Sequence, residues 1–243
     1  MTRFFVLLRR ELGATFQSFG FWALLALVSG YTAFFYSQSL EARGFDMDYA
    51  LIDIRNWLFI LTMIITPLLT MRLFAEEKRS GSLELLMTAP VSDAQVVLAK
   101  FGAAAIELIV FLAPIWVLHA LLAAFFSSTP DWGRLTAVTV GMCGAGFVFL
   151  ALGTLASALT SIQLWAALLG ALLNTCLTSL GVLRNLFPTD SALYRVFAYI
   201  SLDLHLRSAL TGIIDLRDVV LQGTLVALVL FWTVRIVELR KWK

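Results

Sequence analysis

The chain has 243 residues, of which 60% are hydrophobic and 14% charged, with a formal net charge of +2. Soluble domains carry about a quarter charged residues, so an ordinary water-soluble domain is excluded, and so small a net charge gives no ground for a nucleic-acid partner. At roughly 20 apolar residues per helical span, six spans take up about half of the chain and leave short loops with no room for a further soluble domain.

Residues 2–19 come first. Phe5, Leu8, Leu12, Phe16 and Phe19 recur at three- and four-residue steps, with Arg9, Arg10 and Gln17 elsewhere on the wheel. That pattern predicts an amphipathic helix lying in the membrane interface. Arg9, Arg10 and Glu11 interrupt the apolar stretch and no small-residue cleavage site follows, so it is not read as a cleavable signal.

Six spans follow, at about 21–40, 56–74, 96–123, 134–159, 163–183 and 218–237. Pro67 and Pro114 fall inside the second and third. They are read as kinks, because neighbouring helices or waters can satisfy a carbonyl that a proline frees. Gly141, Gly144, Gly146 and Gly153 in the fourth span, and Ala167, Gly170 and Ala171 in the fifth, allow close backbone approach. Packing within the chain is the expected use, with a dimer seam as the alternative. Trp22, Trp57, Trp132, Trp232 and Trp242 fall mostly near span ends, as interfacial anchors do.

Lysine and arginine set the orientation. If both termini face the cytoplasm, eleven of the 18 basic residues lie on that side, and nine acidic residues lie on the other. The positive-inside rule therefore predicts cytoplasmic termini and a cytoplasmic 75–95 segment.

That segment is a concentrated polar stretch between two spans. Glu76, Glu77, Lys78 and Arg79 end the second span, Gly81 breaks the helix, and Ser80 or Ser82 is placed to cap a new one. The next turn puts Leu83, Leu86 and Met87 on one side and Glu84 on another. Thr88-Ala89-Pro90 stops it, and Ser92-Asp93-Ala94-Gln95 has the form of a capping box for the third span. The prediction is a short helix over 79–89 along the inner face. A helix that short is not stable alone, so a protein partner is expected to complete it.

Glu107 falls within the third span. An ionisable group there costs roughly 2.5–3.5 kcal/mol on insertion scales. It is therefore read either as lining a translocation path or as hydrogen-bonded to a neighbouring helix. His119, nearer the outer end, is expected to meet headgroups or water. In the long outer loop 184–217, Tyr194, Phe197 and Ile200 alternate with Arg195 and Asp203 at helical spacing. Cys143 and Cys176 match neither CxxC nor a zinc spacing and read as small buried hydrophobes. No metal site is expected.

The stretch PLLTMRLFAEEKRSGSLELLMTAPVSDAQVVLAKF, from Pro67 to Phe101, resembles the cytoplasmic signature of ABC-2 type transporter permeases. Arg9 to Leu12 is similar to the family's interfacial elbow helix, and Leu155 to Leu169 to its fourth-to-fifth span hinge. His205 to Val220 resembles the segment before the last span in the subgroup tied to gliding-motility and multicopper-enzyme-maturation systems. The resemblance implies an all-α fold of six transmembrane helices with an elbow helix, a coupling helix and short re-entrant helices over 184–217 that close the outer gate. It places the chain in a bacterial cytoplasmic (inner) membrane, as the non-catalytic permease of an ATP-driven exporter.

On that resemblance Glu76, Glu77, Lys78, Arg79, Gly81, Ser82, Leu83, Glu84, Leu86 and Met87 are the residues expected to couple to a cytoplasmic ABC ATPase, with Glu84 placed to pair with a basic residue of it. Further expected partners are a second permease copy or homologous permease, a membrane protein with a large extracytoplasmic domain, and membrane lipid. No Gly-Lys-Ser or Gly-Lys-Thr occurs, so a phosphate-cradling P-loop is absent. No cofactor is expected in this chain, and ATP and Mg belong to the partner. Two other readings stand beside this one. A stand-alone secondary transporter wants several intramembrane charges or interrupted helices, for which one glutamate is thin support. Mechanical transmission to an outer partner, without transport, fits the same residues. Neither HExxH nor GxSxG appears, so an intramembrane hydrolase has no basis.

Overall fold

Long apolar runs bounded by caps and breakers fold here as helices in sequence order. The structure, a computed structural model, describes residues 2–42, 44, 46–81, 91–126 and 131–239. Among these the order is α1 (Thr2–Phe16), α2 (Phe19–Ala42), α3 (Met47–Thr70), α4 (Ala75–Ser80), α5 (Asp93–Phe126), α6 (Trp132–Leu159), α7 (Gln163–Leu183), α8 (Ala192–Ile200), α9 (Leu202–Ala209) and α10 (Leu216–Leu239). A single 3-10 turn, Arg184–Leu186, follows α7. Six stretches of the described residues are long and apolar enough to cross a membrane: α2, α3 continuing into α4, α5, α6, α7 and α10. Phe74 after α3, Val96 and Val97 at the start of α5, Ala158 at the end of α6 and Val237 at the end of α10 pack into one cluster, which marks one end of the bundle, here the near end.

Local chemistry accounts for several boundaries. The Ser92 amide donates to Gln95 Oε1 and the Gln95 amide to Ser92 Oγ, both at 3.2 Å. This is the reciprocal pair expected of a capping box, and it opens α5. Asp131 accepts from the Arg134 amide at 3.0 Å to open α6. Ser191 accepts from the Tyr194 amide at 3.0 Å to open α8. Gly81 ends α4 in the left-handed region, φ 73°, which glycine enters without a Cβ penalty.

Pro67 lies inside α3 and has no N–H for the carbonyl of Met63 four residues back. Asn174 of α7 supplies the missing donor: its Nδ2 lies 3.4 Å from the Met63 carbonyl and 3.1 Å from Thr66 Oγ1. The freed carbonyl is satisfied by a neighbouring helix, as a proline deep in a span requires.

The centre of the bundle is α6, which packs against α3, α5, α7, α9 and α10. Its small residues permit this. A Cβ on Gly153 would sit 2.2 Å from Thr70 Oγ1 of α3, and one on Gly144 1.8 Å from Gln222 Oε1 of α10. The glycines of the fourth span thus serve contacts within the chain. Buried hydroxyls are satisfied on their own helices: Thr62, Thr66, Thr70 and Thr154 each donate to the carbonyl four residues back at 2.7–2.9 Å.

Four expectations need correction. The second span starts at Met47 rather than 56, which brings Asp53 and Arg55 into a helix; Arg55 is only 4% exposed. It tolerates that position because Asp203 of α9 reaches it. The interfacial helix ends at Phe16, and Phe19 opens α2 instead. His119 meets neither headgroups nor water. It is fully enclosed, with Nδ1 2.7 Å from the Tyr36 hydroxyl across the α2–α5 contact. Both cysteines are free thiols; Cys143 is half-buried, but Cys176 lies on the exposed face of α7.

Candidate functional site: a polar junction at the near end

The six residues of α4 leave the second span and lead directly to residues 82–90. Glu77, Lys78 and the Ala75 amide of α4 each make polar contacts with other helices.

Glu77 faces inward. Its Oε1 lies 2.8 Å from Lys100 Nζ of α5 and 3.3 Å from Arg10 Nη2 of α1. Lys100 also reaches Glu11 Oε1 at 3.2 Å, and Arg10 reaches the same atom at 2.6 Å. Two cations and two carboxylates therefore alternate in a closed set joining α1, α4 and α5. The Lys100 side chain is 3% exposed and the two glutamates 18%. Burying a charged group is costly, and close partners of opposite charge offset that cost. The ring of Phe74 adds a face 5.6 Å from the same nitrogen. Hydrogen bonding to Glu11 raises the Arg10 guanidinium above its ordinary value.

Lys78, the next residue, donates to the carbonyl of Ala158 in the last turn of α6. That turn carries the partial negative charge of a helix C-terminus. Ser157 completes the seam. Its Oγ accepts from the amides of Phe74 and Ala75 at 3.1 and 3.2 Å and donates to the Met71 carbonyl at 3.3 Å. One hydroxyl thus caps the start of α4 and the end of α3. Glu76, Arg79 and Gly81 are exposed.

The predicted coupling residues therefore divide. Glu77 and Lys78 are spent on contacts within the chain, while Glu76, Arg79 and Gly81 face outward. Ser82, Leu83, Glu84, Leu86 and Met87, with most of the expected 79–89 helix, lie outside the described residues. Sequence reasoning missed Glu11, Lys100 and Ser157 as members of one site. Lys100 carried a usable signal, since a lone cation inside an apolar run meets the same cost that singled out Glu107.

Glu107 stands two turns beyond Lys100 on α5. It is 5% exposed and faces α1 near Thr15 and Glu11.

At the opposite, far end, α9 inserts into the bundle. Leu202, Leu206 and Ala209 are buried, and Leu206 lies against Gly141 of α6. Arg55 of α3 donates through Nη1 to Asp203 Oδ1 at 3.2 Å and to the Asp203 carbonyl at 3.4 Å. His205 Nε2 lies 3.7 Å from Asp218 Oδ1 of α10, and Ser208 donates to Asp218 Oδ2 at 3.0 Å.

Six helices long and apolar enough to cross a membrane, packed into one bundle, describe a multi-pass membrane protein. Residues 17–185 match the family described as ABC-2 family transporter protein, and the chain belongs to that family. The match runs from the end of α1 through α7 and so includes α4 and its partners Lys100, Ser157 and Ala158. No curated protein is similar enough in sequence to count as a match. Membership makes the chain a permease component of an ABC transporter, a class that works with a separate ABC ATPase and often with another permease.

Proposed function

We propose that this chain is the membrane-spanning subunit of an ATP-driven exporter, moved by a separate ATPase that docks on residues 79–89 from the cytoplasm. The observation that carries this reading is the junction at α4. Glu77 holds α1 and α5, Lys78 and Ser157 hold α6, and Gly81 leads straight into residues 82–90. On the other side of those residues the Ser92–Gln95 box starts α5. A push on the intervening segment is therefore delivered to three helices at once. ATPase closure would bias the bundle between inward-open and outward-open arrangements through these contacts.

In this reading both termini are cytoplasmic, the membrane is a bacterial inner membrane, and ATP and Mg are held by the ATPase. Leu83 and Glu84 contact that subunit, and a second permease copy or homologue completes the assembly. The 205–220 stretch supports the gliding-motility and multicopper-enzyme-maturation subgroup, and with it a partner bearing a large extracytoplasmic domain.

The test is the ATPase rate of the reconstituted complex. Glu77→Gln, within the junction, is expected to leave the ATPase bound while lowering its stimulation by the permease. Leu83→Asp or Glu84→Lys is expected to lower both. Unchanged binding and unchanged rate in all three variants would overturn the reading.

A further inference from the structure

At the far end of the bundle two arginines share one carboxylate, and a third, Arg184, lines the same cavity. Asp203 is fully engaged: Oδ1 meets Arg55 at 3.2 Å and Oδ2 meets Arg207 Nε at 3.1 Å. Arg184, at the end of α7, makes its one hydrogen bond to Ser201 Oγ at 3.3 Å and has no carboxylate partner among the described residues. Arg55 is 4% exposed, and its Nε has no hydrogen-bond partner there. Like charges held this close repel unless an anion lies between or beside them.

Beside this cluster, between α3, α7 and α9, lies a cavity of about 310 Å³, at the small end of the range for ligand sites. Arg184, Arg207, Asp203, Asn185, Ser201 and Thr178 line it, with Phe59 at the wall one turn from Arg55. The lining thus offers two guanidinium groups, an amide and two hydroxyls against a single carboxylate already shared by two arginines. Guanidinium groups in such a setting match the planar, multidentate geometry of phosphate oxygens.

We propose that this cavity binds a phosphate-class anion, as the headgroup of an anionic lipid or as a free phosphate. The anion supplies the counter-charge that Asp203 alone does not, and it pins α9 against α3 and α7. The site is independent of the junction at α4, so it stands or falls separately from the ATPase reading.

The full chain is purified, and two probes are applied: phosphatidylglycerol against phosphatidylcholine by native mass spectrometry, and inorganic phosphate by titration calorimetry. Arg184→Gln and Arg207→Gln are each expected to weaken binding by ~10-fold. Arg217→Gln, exposed and outside the cavity, is expected to leave it unchanged. Arg184→Lys keeps the charge but not the planar fork, and is expected to weaken binding less than Arg184→Gln does. Binding of phosphatidylglycerol alone supports a headgroup, and binding of inorganic phosphate as well supports a free anion. Binding of neither probe to the parent chain would overturn the site. So would losses equal to that of Arg217→Gln, or an Arg184→Lys loss as deep as that of Arg184→Gln in protein whose helicity and melting are intact.

Discussion

The Lys100 ammonium sits 2.8 Å from Glu77, linking the base of the third span to the short helix that ends the second. Both also bind α1, through Glu11 and Arg10, so one set of ion pairs joins all three elements. Lys100→Met leaves two half-buried carboxylates with only Arg10 between them. Breaking one side of such a set is expected to destabilise the purified protein by ~3 kcal/mol. The matching double variant with Glu77→Gln is expected to lose at least 1 kcal/mol less than the two single losses added together. Denaturation in detergent measures both, and strict additivity would show that the two charges do not act as a unit.

A second prediction concerns the kink. Asn174→Leu strands the Met63 carbonyl that Pro67 leaves without a helical donor, at an expected cost of ~0.5–1.5 kcal/mol. Pro67→Ala returns a backbone N–H four residues on, so Asn174→Leu in that background is expected to be nearly neutral. A thermal melt of the four proteins reads the difference.

Close packing at the centre gives a third. The Thr70 hydroxyl is fixed by its bond to the Thr66 carbonyl at 2.9 Å, so Gly153→Ala forces it aside. The expected loss is ~1–3 kcal/mol, partly restored by Thr70→Ala. Gly144→Ala is expected to cost less, because the obstacle there is the far end of the flexible Gln222 side chain. Melting temperatures that rank the other way would contradict the packing described.

At the far end, Asp203→Asn removes the carboxylate that holds Arg55 inside the bundle. The expected loss is ~2–4 kcal/mol, the lower part of the range for a buried pair because Asp203 is 36% exposed. Arg55→Met, which removes the buried charge itself and keeps its apolar stem volume, is expected to cost less. Equal losses would mean that the pair contributes only packing.

What was legible in the sequence was local. The Ser92–Gln95 box is written in four consecutive residues, and the six apolar runs each correspond to a long helix because length and composition alone decide that. The glycine at 81 announced its own break. Pro67 could be read as a kink because the physics of a freed carbonyl is general, although the identity of Asn174, 111 residues from Met63, could not. The junction was only half visible. Glu77 and Lys78 were singled out as surface contacts, but their inward turn depends on Lys100 and Ala158, which lie 23 and 80 residues further along the chain. Arg55 hid for the same reason. Asp53 and Arg55 interrupt the apolar run, so the predicted span begins after them. The charge partner of Arg55, Asp203, lies 148 residues away, while the adjacent Asn56 supplies only a neutral acceptor.

In the proposed function a separate ATPase grips the chain just beyond Gly81. The most direct measurement is affinity purification of the tagged full chain from membranes in which its ATP-binding partner is expressed, with the nucleotide-hydrolysing subunit quantified per chain. The account predicts about one ATPase per permease for the parent and a loss of at least tenfold for Leu83→Asp with membrane insertion unchanged. An ATPase that travels undiminished with Leu83→Asp, or none with the parent, would contradict it.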